Sequence, residues 1–119
     1  GVALDILEAV NSTTTKRIVV SIQNHDTLDF LRPDDVIEIS CDLSRDGLKP
    51  VTPVKVPTAQ KNMIACVKEY ERLAVAAILQ QDKSLAVRAL MAHPLIGSYS
   101  LAKTLVEAYL DDEQFAAWR

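Results

Sequence analysis

Glycine is scarce in this chain, with three residues in 119. That scarcity excludes a phosphate-cradling glycine loop, and neither a G-x-G-x-x-G run, a Gly-Lys-Ser/Thr loop nor a G-x-S-x-G elbow occurs. Cysteine is almost as rare. Cys41 and Cys66 have no metal-ligand spacing and read as two buried or half-buried free thiols in a reducing compartment, which places the protein in the cytoplasm. No apolar run approaches the ~18 residues of a membrane span. No basic segment followed by an apolar stretch marks a secretory signal. Lys and Arg are scattered and the net charge is −3, so the clustered positive charge that nucleic acid requires is missing. The acidic groups Asp34-Asp35 and Asp111-Asp112-Glu113 lack the spacing of a calcium loop. What remains is 49% apolar and 24% charged, the balance of an ordinary globular protein of one domain, residues 1–119.

The periodicity changes once along the chain. Ala3, Ile6, Leu7 and Val10 share one face of an opening helix, with Asp5 and Glu8 opposite. Asn11 to Thr15 stops it. Arg17–Gln23 alternates as a half-buried strand, and Val36–Leu43 places Ile37, Ile39 and Cys41 on one face. Ser44-Arg45-Asp46-Gly47 is turn chemistry, in which the glycine tolerates positive φ. Val51–Val56 contains Pro53 between Pro50 and Pro57, so it is expected to be an edge strand or a barely regular extended segment. Short turns between consecutive strands imply an antiparallel sheet.

After Pro57 the pattern is helical. Thr58 is the expected N-cap of a helix reaching about Gln81, with Met63, Val67, Tyr70, Ala74, Ala77 and Ile78 as its stripe. Leu73, Ala76 and Leu79 widen that stripe, so the later half is expected to be buried on more than one side. Asp82 caps a second helix with Leu85, Ala86, Ala89 and Leu90 inward, which Pro94 ends. Ser98 or Ser100 opens a third, with Leu101, Ala102, Leu105, Val106 and Tyr109 inward. The tail Glu113–Arg119 carries Phe115 and Trp118 in a last helical turn that packs onto something. The expectation is an α+β fold: about three antiparallel strands with four to five helices.

Few residues invite a chemical role. His25-Asp26 suggests a general base with its orienting carboxylate, but adjacent residues of an extended segment point opposite ways. A polar turn between the first two strands is the favoured reading. His93 before Pro94 sits where a helix end favours an imidazole able to bond the last carbonyls. Glu69, Glu71 and Arg72 are spaced for surface pairs. No catalytic, cofactor-binding or metal-ligating residue can be assigned from these patterns.

The run Tyr70-Glu71-x-Leu73…Ala77…Asp82…Ala89-Leu90…His93-Pro94-Leu95 resembles the C-terminal domain of glycoside hydrolase family 4, the 6-phospho-glucosidases and α-galactosidases. Asn24 to Leu31, followed by Pro33-Asp34-Asp35-Val36-Ile37-Glu38, is similar to that family's strand–turn–strand. Asp46-Gly47-x-Lys49-Pro50 is similar to its Gly-x-x-Pro turn. The likeness spans nearly the whole chain. Two departures stand out: Asn24-His25-Asp26-Thr27 replaces an Asn-Gly or Asn-x-Gly step, and Leu31-Arg32-Pro33 is one residue longer than Leu-Pro.

The resemblance implies a fold like the C-terminal domains of lactate-dehydrogenase-like proteins. It also implies a hydrolase that departs from two-carboxylate glycosidases, using NAD and Mn²⁺ in an oxidation, elimination, addition and reduction sequence. The helical half is most like the 6-phospho-β-glucosidases. The resemblance further implies a fragment without its N-terminal dinucleotide-binding domain, inactive alone and binding neither cofactor. Its expected partners are that domain, a phosphorylated disaccharide or glycoside, and copies of itself, but neither nucleic acid nor membrane. Asn24 and His25 are the two positions expected at the edge of a substrate cleft. Two rivals are a non-catalytic helical interaction module, with Phe115 and Trp118 as exposed anchors, and the C-terminal half of another dehydrogenase-like enzyme.

Overall fold

β-Branched and apolar residues at every second position build the sheet. In the computed structural model, which describes residues 1–53 and 55–118, β1 (Lys16–Gln23), β2 (Val36–Ser44) and β3 (Gly47–Pro50) form one antiparallel sheet with β2 central. Ile18 pairs with Cys41, which pairs in turn with Pro50, and Leu43 pairs with Leu48. This register puts Ile18, Cys41, Leu43, Leu48 and Pro50 on one face, with Val20 and Ile22 beside them. The helix α1 (Val2–Asn11) lies on β1 and β2, and Ala9 joins Ile18, Leu43 and Val20 in a core cluster. Lys16 pairs with Glu8 at 3.2 Å across that contact.

Residues 57 onward form α2 (Thr58–Gln80), α3 (Lys83–Ala92), α4 (Tyr99–Leu110) and a short 3₁₀ turn (Glu113–Phe115). The Asp82 carboxylate accepts the Leu85 N–H at 3.1 Å and Ser98 Oγ accepts that of Leu101 at 3.4 Å, satisfying donors that each new helix leaves free. Gln81, at φ +52, closes α2 in the left-handed conformation. The helices bury small residues, Ala77, Ala89, Ala102 and Val106. The chain divides into two compact units, 1–56 and 57 onward.

Among the described residues the architecture is α+β, with three antiparallel strands and four helices. Several local expectations are corrected. The third strand is Gly47–Pro50 rather than Val51–Val56, because the tight hairpin sets Gly47–Pro50 against β2 first; among the described residues of the following segment only Val51 N–H continues toward the sheet, to Ser40 O at 2.9 Å. Val54 lies outside the described residues. β1 and β2 are joined by twelve residues, 24–35, instead of a short turn. Pro57, with its preset φ of −59°, occupies the N-cap of α2, so Thr58 is already helical and makes no cap.

The side of each helix that is covered also differs. On α1 the stripe Ala3, Ile6, Leu7 and Val10 is exposed, and the half-buried Asp5 and the buried Ala9 are its least exposed residues. On α2 Met63, Ile78 and Leu79 are exposed, on α4 Leu101 and Tyr109. Periodicity defines an apolar face, but burial needs an element to cover it, and among the described residues none within the same unit covers these side chains. Cys41 is fully buried as expected, whereas Cys66 is exposed.

Candidate functional site: the loop of residues 24–35

The loop between β1 and β2 is held from within. Asn24 is completely buried, and its Nδ2 donates to Leu28 O and Arg32 O at 3.0 Å each, while its Oδ1 accepts the Leu28 N–H at 2.8 Å. Its backbone N–H donates to Asp35 O at 2.7 Å, and that of His25 to Pro33 O at 2.8 Å. Asp35, also buried, accepts the Arg32 N–H on Oδ2 at 2.9 Å. One amide side chain thus spans three positions of the loop, which a glycine or alanine there could not do.

His25 follows at φ +51, a left-handed conformation that side-chain-bearing residues seldom adopt. It is exposed and lies in the polar turn expected there. Beside it is a shallow concavity of about 340 Å³. Ile22, Leu48 and Pro50 form its apolar part, and Gln23, His25, Asp26 and Thr27 its polar part. Of the two positions expected at a cleft edge, His25 is exposed and lines this concavity, while the Asn24 side chain is spent inside the loop. Sequence reading missed Gln23, Thr27, Leu48 and Pro50. The strand alternation carried a signal for Ile22, but only the register brings Leu48 and Pro50 onto its face.

The remaining sequence candidates are structural. His93 ends α3 with its backbone N–H on Leu90 O; its Nδ1 accepts the Leu95 N–H at 3.2 Å, so the imidazole serves an amide rather than a carbonyl. Tyr70 meets it edge-on, with ring centroids 4.9 Å apart. Phe115 and Trp118 stack edge-to-face at 6.1 Å and are half-buried; Trp118 lines an apolar cavity of about 170 Å³ with Tyr70, Val106 and Tyr109. These aromatics are therefore not free anchors, because each finds its apolar contact within the helical unit. Arg17 grips Asp42 through Nε and Nη2 at 2.8 and 3.0 Å, which holds the Asp42 carboxyl below its usual range. Burial, reinforced by the charge of Asp42, pushes the Cys41 thiol up.

Among the described residues no three His, Cys, Asp or Glu side chains gather to hold a metal. Gly47 and Gly97, the glycines with positive φ, serve a hairpin and the approach to α4 rather than a phosphate loop. No helix among the described residues is long and apolar enough to cross a membrane.

Comparison with known proteins supplies the context this geometry lacks. Residues 2–96 match the family 4 glycosyl hydrolase C-terminal domain. The 6-phospho-beta-glucosidase BglT of Thermotoga maritima is 30% identical over 109 residues, covering 92% of this chain and 26% of that protein. The phospho-alpha-glucosidase PagL of Clostridium acetobutylicum is 22% identical over 108 residues, covering 91% and 24%. Among solved structures, the Thermotoga maritima 6-phospho-beta-glucosidase, determined with manganese, NAD⁺ and glucose-6-phosphate, superposes with a TM-score of 0.76 at 29% identity, covering 95% of this chain and 28% of that one. A 6-phospho-alpha-glucosidase from gut microorganisms, in complex with NAD and Mn²⁺, shares the fold with a TM-score of 0.78 at 19% identity, covering 92% and 26%. The chain spans about a quarter of the length of these relatives. Its sequence over residues 2–96 and its fold agree, and the chain belongs to the family 4 glycosyl hydrolase C-terminal domain family.

Proposed function

We propose that this chain is the C-terminal domain of a cytoplasmic, NAD- and Mn²⁺-dependent 6-phospho-glycosidase that hydrolyses 6-phospho-β-glucosides. The observation that carries the reading is the likeness to the Thermotoga maritima 6-phospho-β-glucosidase along 92% of the chain at 30% identity. On this reading, which rests on the family likeness, the oxidation, elimination, addition and reduction sequence runs on groups of the N-terminal dinucleotide-binding domain. This domain contributes a wall of the cleft, with the loop that Asn24 organises and the exposed His25 at its edge, and part of the surface between subunits. The exposed apolar stripe of α1 and the exposed Val75, Ile78 and Leu79 of α2 support the docking role, since such surface is normally covered.

The coding sequence upstream of Gly1 provides the direct test. It should encode a strand, a Gly-rich turn and a helix, followed by Cys and His metal-ligand motifs; their absence sinks the reading. The protein joined to that segment should cleave a chromogenic 6-phospho-β-glucoside only with NAD and Mn²⁺ present. The 119-residue chain should neither bind NAD nor cleave the substrate, and robust activity of the chain by itself would overturn the assignment.

A further inference from the structure

His25 is held at φ +51, where glycine is accommodated without steric cost and a side chain is not. The loop that imposes this conformation is rigidly specified by Asn24 and Asp35. An exposed, non-glycine residue kept in this conformation on a loop fixed by hydrogen bonds, in the lining of a concavity, is placed to make a contact there. The chemistry of the lining narrows what is contacted. The Gln23 amide, the Thr27 hydroxyl and the His25 imidazole can each donate and accept, and Asp26 accepts only. Hydroxyl groups satisfy all four. Ile22, Leu48 and Pro50 offer apolar surface to the C–H bonds of a ring. No Lys or Arg lines the concavity, and Asp26 repels an anion, so a phosphate is disfavoured.

We propose that this concavity binds the neutral, polyhydroxylated part of a substrate, with His25 as a direct contact and Asn24 as the positioning residue that holds it in place. The proposal deepens the glycosidase reading, and rests on it only in taking that part to be the unphosphorylated leaving group. It divides the recognition: the phosphorylated sugar is held elsewhere, and the neutral sugar lies against the Asn24–Asp35 loop.

The test is a ¹H–¹⁵N titration of the 119-residue chain with cellobiose, and separately with glucose 6-phosphate. Cellobiose should move the Gln23, His25 and Thr27 amides saturably, and glucose 6-phosphate should do so severalfold more weakly. His25→Gly should abolish the cellobiose response while the thermal midpoint is held or raised, and His25→Gln should retain part of it. Asn24→Asp, which keeps the acceptor and removes both donors, should lose the response together with the native shifts of Leu28 and Arg32. An absent cellobiose response, an undiminished one in His25→Gly, or tighter binding of the phosphosugar each overturns the proposal. The result stands apart from the glycosidase reading. A joined enzyme that cleaves 6-phospho-glycosides while this chain ignores cellobiose rejects the site alone, and cellobiose binding by this chain within an inactive joined protein rejects the reaction alone.

Discussion

Asn24 shows how much one side chain organises. A buried amide with both ends engaged stabilises modestly, but removing it strands the groups it served, at about 1–3 kcal/mol. Asn24→Ala should therefore lower stability in urea denaturation by about that amount, and a loss under ~0.5 kcal/mol would mean that water replaces the bonds. The two cysteines give a second prediction at this scale. Cys41 is fully buried, donates toward Ile39 O at 3.7 Å and has its thiol pKa raised by burial; Cys66 is exposed. The thiolate is the reactive form. One equivalent of a thiol reagent should react promptly in native protein, and the second only on unfolding; Cys66→Ser should remove the fast equivalent. Their difference was not legible in sequence. Cys41 lies on an alternating strand whose inner face could be identified, whereas Cys66 lies on a helix whose covered side depends on its neighbours.

At the scale of elements, the Arg17–Asp42 pair ties β1 to β2 on the open side of the sheet. Hydrogen bonding to Arg17 lowers the folded-state pKa of Asp42 beneath its unfolded value of about 3.9. Its stabilisation is therefore present above that value and is lost as pH falls through the lower folded pKa. The melting temperatures of native protein and Asp42→Asn should differ slightly at neutral pH and converge in acid, the small size reflecting an exposed pair. A difference that grows toward low pH would contradict the linkage. Element types followed from local rules: Asp82 and Ser98 begin helices because their oxygens accept N–H groups three residues on, and Gly47 turns the hairpin at φ +112. The misplaced third strand shows where such rules fail. β-Branched Val51 and Val56 suggested a strand, but pairing was decided by the tight hairpin at Arg45-Asp46, which sets Ser44 against Gly47 and uses the partner edge immediately.

At the scale of the whole molecule, large apolar side chains remain in solvent on both units, Ile6, Leu7 and Val10 on one and Val75, Ile78 and Leu79 on the other. Such surface drives association by burying apolar area. Sedimentation should show concentration-dependent self-association of the 119-residue chain, weakened by Leu7→Ser and Leu79→Ser together. A monomer at all concentrations would mean that neither face is sticky in isolation. The sequence by itself determined the element types, the helix start at Asp82, a choice of Ser98 or Ser100 for the next helix, and the glycine turn, because each rests on steric and hydrogen-bonding rules acting within a few residues; the family likeness was legible there too. Only the tertiary structure decided which face of each helix is covered, that Asn24 is spent inside its loop while His25 looks outward, and that Leu48 and Pro50 join Ile22 beside it. Those outcomes depend on strand register and on which neighbour arrives to cover a surface, and no local pattern encodes either.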